Sequence, residues 1–319
     1  MRTLPAKILL YVVVCAAIAG IAFSDRPFWI QLAIGITITA ILALAWDILS
    51  RTGQVSLGMA AFFGLGAYTT AILDPITNTY LAWLGVIVVC GLFAAVLGLV
   101  TLRLRQMYFA IATLGFTLSL QVVVLVFPDF TGGAGGVAPP LLAGGDPAMQ
   151  LLAIGGLLIV AMLVSDVLLR RRFRPAFFMI RTKPELAASC GVPVVRTRIL
   201  AFIISGVFAG LAGACYGGLY GYVTPSDVYT VNWSIMPLAV AVLGGMDTTF
   251  GPILGAIILR LLEEVARELI GGVGYQVVYG AVIILFVVAL PRGVTGALKA
   301  LFGLSVRTPL GTRPAATGS

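Results

Sequence analysis

The sequence contains no histidine, and this absence removes most zinc sites and every Ser–His or Cys–His catalytic arrangement. Its four cysteines form no CxxC pair, so no disulfide framework is predicted. None of the three lysines follows a glycine, and the phosphate-binding loop G-x-x-x-x-G-K-[ST] is therefore missing. If the chain moves a solute uphill, the energy has to come from an ion gradient or from a separate subunit. No catalytic residue, metal or cofactor is predicted.

Charged residues are scarce, at 10% of the chain, whereas soluble domains carry roughly 25%. Hydrophobic residues account for 60%, and the mean hydropathy is +1.10. Apolar stretches of about 20 residues recur, which predicts an all-α, polytopic membrane protein. The net charge of +8 is assigned to basic cytoplasmic loops rather than to nucleic-acid binding. The predicted permease domain covers residues 1–295, and residues 296–319 form a predicted flexible cytoplasmic tail.

About ten transmembrane helices are predicted, from apolar segments at 7–23, 28–49, 56–73, 80–102, 107–127, 150–169, 198–222, 233–244, 252–270 and 275–290. Basic residues collect in alternate connections and aspartates in the others, so both termini are predicted to be cytoplasmic. The glycine-rich segments 56–73 and 233–262 either span fully or are broken or re-entrant. Residues 1–23 also resemble a signal peptide, but the short connection that follows favours a retained first span.

Opposite charges spaced four residues apart lie near predicted helix ends: Asp47 with Arg51, Asp166 with Arg170, Glu263 with Arg267, and Arg260 with Glu264. Such pairs are ordinary partners on a helix surface. A carboxylate that relays protons would instead be expected in the middle of a span. A stand-alone secondary transporter, a channel or a membrane-embedded enzyme is therefore disfavoured.

Glycine is abundant, with 38 residues, and one group is periodic. Steps of three and four residues place this stripe on one helix face: Gly206, Gly210, Gly213, Gly217 and Gly221. Small residues let helix backbones approach closely in lipid, so the stripe is predicted to pack against another helix or to flank a pathway. Candidate pathway or gating residues lie in and beside the glycine-rich loops: Gln54, Ser56, Gly58, Thr113, Gly132, Gly133, Gly244 and Gly245.

A basic, polar segment interrupts the apolar pattern at residues 170–198. Pro184 and Glu185 favour the start of a helix there, and Gly191 favours its end. A short cytoplasmic helix within residues 181–191 is predicted to dock on a partner. The alternative is a plain basic loop that only follows the positive-inside rule.

The chain contains GQVSLGMAAFFGLGAYT at 53–69, LRLRQMYFAIATLGF at 102–116, TGGAGGV at 131–137, AFIISGVFAGLAGACYGGLYGYVTP at 201–225 and VLGGMDTTFGPILGA at 242–256. In this order and spacing, these segments resemble the LivM-type permease subunits of branched-chain amino acid ABC importers. The sequence departs from the family's usual residues at Asp47, Met59 and Pro193, where the family commonly has Asn, His and Asn. These departures bear on the solute more than on the mechanism.

The resemblance implies a permease subunit of the bacterial inner membrane, without enzymatic activity, for branched-chain or other small amino acids. Related permeases carry urea, short amides or other small polar solutes, and this is the alternative. The implied partners are ABC ATPase subunits, a second homologous permease (LivH-like or a second copy), an external solute-binding protein and membrane lipid. The family's ATPase-coupling motif implies roles for Arg181, Glu185, Ala187, Ala188 and Gly191. The loops at 131–147 and 223–232 are expected to face the solute-binding protein.

Overall fold

The computed structural model describes residues 4–270, except 25, 75, 102–103, 105 and 170–172, together with 280–281 and 293–296. The predicted tenth span, 275–290, and the predicted tail, 296–319, lie almost entirely outside these residues. The ten-span count and the cytoplasmic position of both termini therefore stay predictions. Within the described ranges the fold is all-α, and an isolated antiparallel bridge joins Val137 to Val223.

The helices of the described ranges are α1 (Leu4–Ala22), α2 (Pro27–Ser50), α3 (Met59–Leu73), α4 (Thr79–Thr101), α5 (Gln106–Val126), α6 (Pro128–Thr131), α7 (Pro147–Leu168), α8 (Arg174–Thr182), α9 (Pro184–Ser189), α10 (Val194–Tyr220), α11 (Pro225–Val228), α12 (Asn232–Gly244) and α13 (Gly251–Ile270). Each apolar segment predicted up to residue 270 contains an α-helix, from 13 residues in α12 to 27 residues in α10. A chain in hydrocarbon must satisfy its backbone N–H and C=O groups internally, and a helix does so within one segment.

Of the described helices, six stretches are long and apolar enough to cross a membrane: α2, α4, most of α5, α7, α10 and the Pro225–Gly244 stretch that contains α11 and α12. The central one is α2, which packs against α7, α10, α12 and α13. Every residue of α2 from Thr37 to Ser50 is buried, as expected for an apolar helix surrounded by others. By contrast, α4 and α5 bury narrow stripes and leave apolar faces that suit contact with lipid.

The glycine stripe of α10 lies against α3 and α4. A Cβ added at Gly213 would overlap the carbonyl oxygen of Phe63, and one added at Gly66 of α3 would overlap that of Gly210. At the end of the stripe, Gly221 closes α10 in the left-handed conformation, with φ of +66°. A larger residue in the stripe would therefore force the packed backbones apart.

Helix α3 is short and begins inside the bundle. Its 15 residues span about 22 Å, at about 1.5 Å per residue, which is less than the ~30 Å hydrocarbon core. The loop at 51–58 that precedes it is folded inward. Four of its polar residues are at most 2% exposed: Arg51, Thr52, Gln54 and Ser56. The predicted segment 56–73 is thus a short helix entered through a buried loop.

Helix α13 carries charged residues deeper in the bundle than the sequence predicts. The Nε of Arg260 donates to Oγ1 of Thr39 at 2.8 Å, and Thr39 lies at the middle of α2. Arg260 also pairs with Glu263 at 2.9 Å instead of with Glu264, whereas the predicted Glu263–Arg267 pair forms at 3.2 Å. The expectation that these groups lie near a helix end is wrong for Arg260, because this residue is at the middle of α13 and packs beside the middle of α2.

Candidate functional site

The described part of the basic segment, residues 173–198, contains two short helices, α8 and α9, and the first residues of α10. Helix α8 is amphipathic and buries Phe177 and Ile180. Helix α9 has Pro184 and Glu185 in its first turn and buries Ala187, while the rest of its surface is exposed. The two helices therefore form a small surface-exposed unit whose outer face is free of bundle contacts within the described structure.

The end of α9 is fixed by local hydrogen bonds. Gly191 adopts φ of +80°, and its N–H donates to the carbonyl oxygen of Ala188 at 2.9 Å. The N–H of Val192 donates to the carbonyl oxygen of Ala187 at 3.0 Å. This pair of bonds is the Schellman arrangement, which favours glycine at the left-handed position. The helix is shorter than the predicted 181–191, because Arg181 belongs to α8.

Arg181, in the last turn of α8, connects the short helices to the loop between α12 and α13. Its guanidinium donates to both carboxyl oxygens of Asp247, at 3.0 and 2.8 Å. This ion pair is partly exposed, with side chains 35% and 41% accessible. The N–H of Asp247 donates to Oδ1 of Asp47, at the end of α2, at 3.0 Å. A continuous chain of contacts thus runs from α8 into the bundle.

Asp47 and Arg51 form a buried ion pair. The Nε of Arg51 donates to Oδ2 of Asp47 at 2.9 Å, and Nη2 donates to the same oxygen. The guanidinium also donates to the carbonyl oxygen and the Oγ of Ser165 on α7, at 3.2 and 2.8 Å. The Asp47 and Arg51 side chains are 0% and 2% exposed. The expectation of an ordinary surface pair is therefore wrong, because α7 and the α12–α13 loop cover this end of α2.

The polar contacts continue from α7 to α1. The Oγ of Ser165 lies 3.4 Å from Oγ1 of Thr249, which donates to Oδ1 of Asp166 at 2.6 Å. The hydroxyl of Tyr11, on α1, donates to Oδ2 of Asp166 at 3.3 Å. Arg170, the predicted partner of Asp166, lies outside the described residues. We refer to Asp47, Arg51, Ser165, Asp166, Asp247 and Thr249 as the polar network. The network connects the ends of α2 and α7 with the α12–α13 loop, and Tyr11 and Arg181 link it to α1 and α8.

Hydroxyl groups from separate parts of the chain satisfy the backbone at the buried start of α3. The hydrogen bonds are Leu57 N–H to Thr113 Oγ1 at 3.1 Å, Gly58 N–H to Ser56 Oγ at 3.0 Å, and Ala60 N–H to Ser234 Oγ at 3.1 Å. These bonds are needed because the first N–H groups of a helix have no partner within it. In the same loop, the buried Oε1 of Gln54 has no hydrogen-bond partner within the described structure. Ser56, Gly58 and Thr113, three of the predicted pathway residues, therefore meet at one point.

The other predicted pathway glycines lie in two different places. Gly244 and Gly245 close the hairpin between α12 and α13, where a Cβ on Gly244 would overlap the carbonyl oxygen of Gly251. Gly132 and Gly133 have φ of +68° and +56° and lie in the loop that follows α6. The eight candidate pathway residues thus do not form a single site within the described structure.

The two loops expected to face a solute-binding protein are joined to each other. The N–H of Val137 donates to the carbonyl oxygen of Val223 at 2.9 Å, and the reverse bond has the same length. These bonds connect the loop at 131–147 with the chain that enters the loop at 223–232. The two loops together form one surface at the end of the bundle opposite the polar network.

The sequence offers no signal for Ser165 and Thr249 as members of the polar network. Serine and threonine are common in membrane helices, and their spacing along the chain does not reveal which distant residues they meet. The available signal was the four-residue spacing of Asp47 and Arg51, which predicts that the two side chains pair.

A model of the family described as "Branched-chain amino acid transport system / permease component" matches residues 28–287 of this chain. The high-affinity branched-chain amino acid transport system permease protein LivM of Escherichia coli K12 is 31% identical to it, covering 69% of this chain and 59% of that protein. The Salmonella typhimurium LivM protein is 30% identical with the same coverage. The autoinducer 2 import system permease protein LsrC of Klebsiella pneumoniae is 27% identical, covering 72% of this chain and 68% of that protein.

The chain belongs to this branched-chain amino acid permease family, and the resemblance predicted from the sequence is confirmed. It spans 59% of the length of the LivM proteins that it matches. No solved structure matches the chain. With six described stretches long and apolar enough to cross a bilayer, the chain is a multi-pass protein of the inner membrane.

Proposed function

We propose that the chain is a transmembrane permease subunit of an ATP-driven ABC importer and forms part of the translocation pathway for branched-chain or other small amino acids. The observation that carries this proposal is the family match over residues 28–287. Because the sequence lacks a phosphate-binding loop, ATP hydrolysis is assigned to separate ATPase subunits and no enzymatic activity is assigned to this chain.

The contact chain from α9 to the bundle supports a coupling role for the basic segment. The exposed face of α9, with Glu185 and Ala188, is available for an ATPase subunit, and its end is fixed by Gly191. Arg181 then joins the short helices to Asp247. Movement of α8 and α9 would therefore reach α2, α7 and the α12–α13 loop together, because the polar network connects them. This assignment makes the end that carries Arg51 and Arg181 cytoplasmic.

The remaining partners follow from the same orientation. The paired loops at 131–147 and 223–232 would face the solute-binding protein on the outer side. A second permease subunit, either a LivH-like protein or a second copy of this chain, would complete the pathway. The Escherichia coli LivH protein, which is 28% identical to this chain over 112 residues, is an example of such a homologous permease.

A different solute is the second candidate. The similarity to LsrC, whose name assigns it to autoinducer 2 import, indicates that chains of this type are not confined to amino acids. Asp47 and Met59, which depart from the usual family pattern, point in the same direction. In this reading, the chain would serve urea, short amides or another small polar solute with the same coupling.

The proposed function is tested by reconstituting the chain with its ATPase subunits, second permease and binding protein in liposomes. We expect binding protein loaded with leucine, isoleucine or valine to stimulate ATP hydrolysis and ATP-dependent uptake. Stimulation only by urea or short amides would replace the amino acid by the second candidate. Uptake that proceeds at full rate without ATP or the ATPase subunits would contradict the importer assignment.

A further inference from the structure

A partly open cavity of about 250 Å³ lies between α2, α10, α12 and α13. We refer to it as the charged groove, because four charged residues of α13 line it: Arg260, Glu263, Glu264 and Arg267. Their spacing of three and four residues places them on one face of the helix. The α2 residues of the groove run from Phe28 to Ile38, so the cavity occupies the half of the bundle opposite the polar network.

The depth of these charges indicates that they have more than a surface role. Arg260 bonds to Thr39 at the middle of α2, and its side chain and that of Glu263 are 19% and 14% exposed. Ionisable groups at membrane depth are costly and face a bundle interior or a water-filled cavity rather than lipid. Where such charges only hold helices together, apolar residues of similar size do so at lower cost. The groove is therefore expected to line an aqueous path.

The charges are paired, but not equally firmly. Arg260 and Arg267 hold Glu263 at 2.9 and 3.2 Å. Glu264 meets Arg267 at 3.7 Å, which is longer than a hydrogen bond, and its side chain is 31% exposed. Of the two acids in the groove, Glu264 is thus held less tightly. Its carboxylate can accept a hydrogen bond from a donor group of a solute.

An aromatic wall stands beside these charges. The rings of Tyr216 and Trp233 meet edge to face with centroids 5.3 Å apart, and both line the cavity. Trp233 is fixed from behind by stacking on Phe63 at 4.4 Å and by an indole hydrogen bond to the carbonyl oxygen of Asp227 at 2.9 Å. A rigid aromatic surface of this kind suits an apolar side chain.

We propose that the charged groove binds an α-amino acid in transit and recognises its zwitterionic head group. The solute carboxylate pairs with Arg260, the ammonium group pairs with Glu264, and the apolar side chain packs against Tyr216 and Trp233. The inference rests on the proposed importer function and names the solute class that the groove selects. A zwitterion presents one charge to Arg260 and the opposite charge to Glu264, whereas a neutral amide would leave Glu264 with only its 3.7 Å contact to Arg267.

The test compares Glu264→Gln with Glu268→Gln in the reconstituted importer with all its subunits. Glu268 lies one turn further along α13, is exposed and is not among the residues that line the groove. We expect Glu264→Gln to lower leucine uptake about tenfold, as the loss of a hydrogen bond to a charged group would. Glu268→Gln should match the wild type. Binding-protein-stimulated ATP hydrolysis should match the wild type in Glu268→Gln, because this exposed residue is not among those that line the groove.

A second measurement leaves every charge in place. Gln31 lines the groove and is exposed, so a Gln31→Cys variant without the native cysteines can be labelled with a methanethiosulfonate reagent. Leucine should slow the labelling, whereas leucinamide and 4-methylpentanoate, which each lack one of the two charges, should not. If Glu264→Gln does not assemble, the labelling of Gln31→Cys tests the groove assignment by itself.

The outcomes separate the two proposals. In an importer that carries leucine, equal uptake by the two glutamine variants, or labelling that leucine does not slow, would overturn the groove assignment and leave the proposed function standing. An importer that carries only uncharged solutes, or a complex without ATP-dependent uptake, would overturn the proposed amino acid function and the groove assignment with it.

Discussion

Replacing Arg51 with methionine tests whether the buried ion pair is as desolvated as its contacts indicate. Methionine fills a similar volume but removes the donor of four hydrogen bonds, two to Asp47 and two to Ser165. The Asp47 carboxylate, 0% exposed, would then be buried without its counter-charge. Breaking such a pair from one side costs about 3–5 kcal/mol, so we expect a loss of this size in the free energy of unfolding.

Arg181→Met is the matched control, because it removes an arginine from the same chain of contacts. The Arg181–Asp247 pair is 35% and 41% exposed, and pairs with this exposure contribute about 0.2–1 kcal/mol. A double variant, Asp47→Leu with Arg51→Met, should be less destabilised than Arg51→Met alone, since no unpaired charge remains. Reversible unfolding by SDS in bicelles, followed by tryptophan fluorescence, measures all three. Equal losses for the two single variants would refute the argument from burial.

Gly191→Val should abolish the response of ATP hydrolysis to loaded binding protein while membrane insertion stays normal, because valine resists the φ of +80° that ends α9. Gly191→Asn, which tolerates this conformation, should keep most of the response, and equal behaviour of the two variants would contradict the role of the turn. Gly213→Leu should prevent assembly, because its Cβ would overlap the Phe63 backbone, whereas a Cβ at the exposed Gly156 on α7 meets nothing within 4 Å, so Gly156→Leu should assemble normally. If the Gly213→Leu protein assembles normally, the stripe is not needed for helix packing. In a cysteine-free background, Thr182→Cys should be labelled only from the cytoplasm and Ser226→Cys only from outside, and the reverse pattern would invert the proposed orientation.

The sequence by itself determined the helical class of the chain and its family. Apolar stretches of bilayer length allow little besides helices, because every backbone polar group must be satisfied without water. The ends of α9 were also readable, since Pro184, Glu185 and Gly191 act through local backbone geometry. The glycine stripe was visible as a period in the sequence, although its partners were not.

The tertiary structure decided which polar groups are buried and what they meet. The spacing of Asp47 and Arg51 predicts that they pair, but their burial depends on Ser165 and on the α12–α13 loop, which come from distant parts of the chain. In the same way, the position of Arg260 along α13 does not reveal its depth, which is set by packing beside Thr39. Local sequence carries helix propensity and capping, whereas burial and depth depend on how separate helices pack, and only the assembled bundle contains that information.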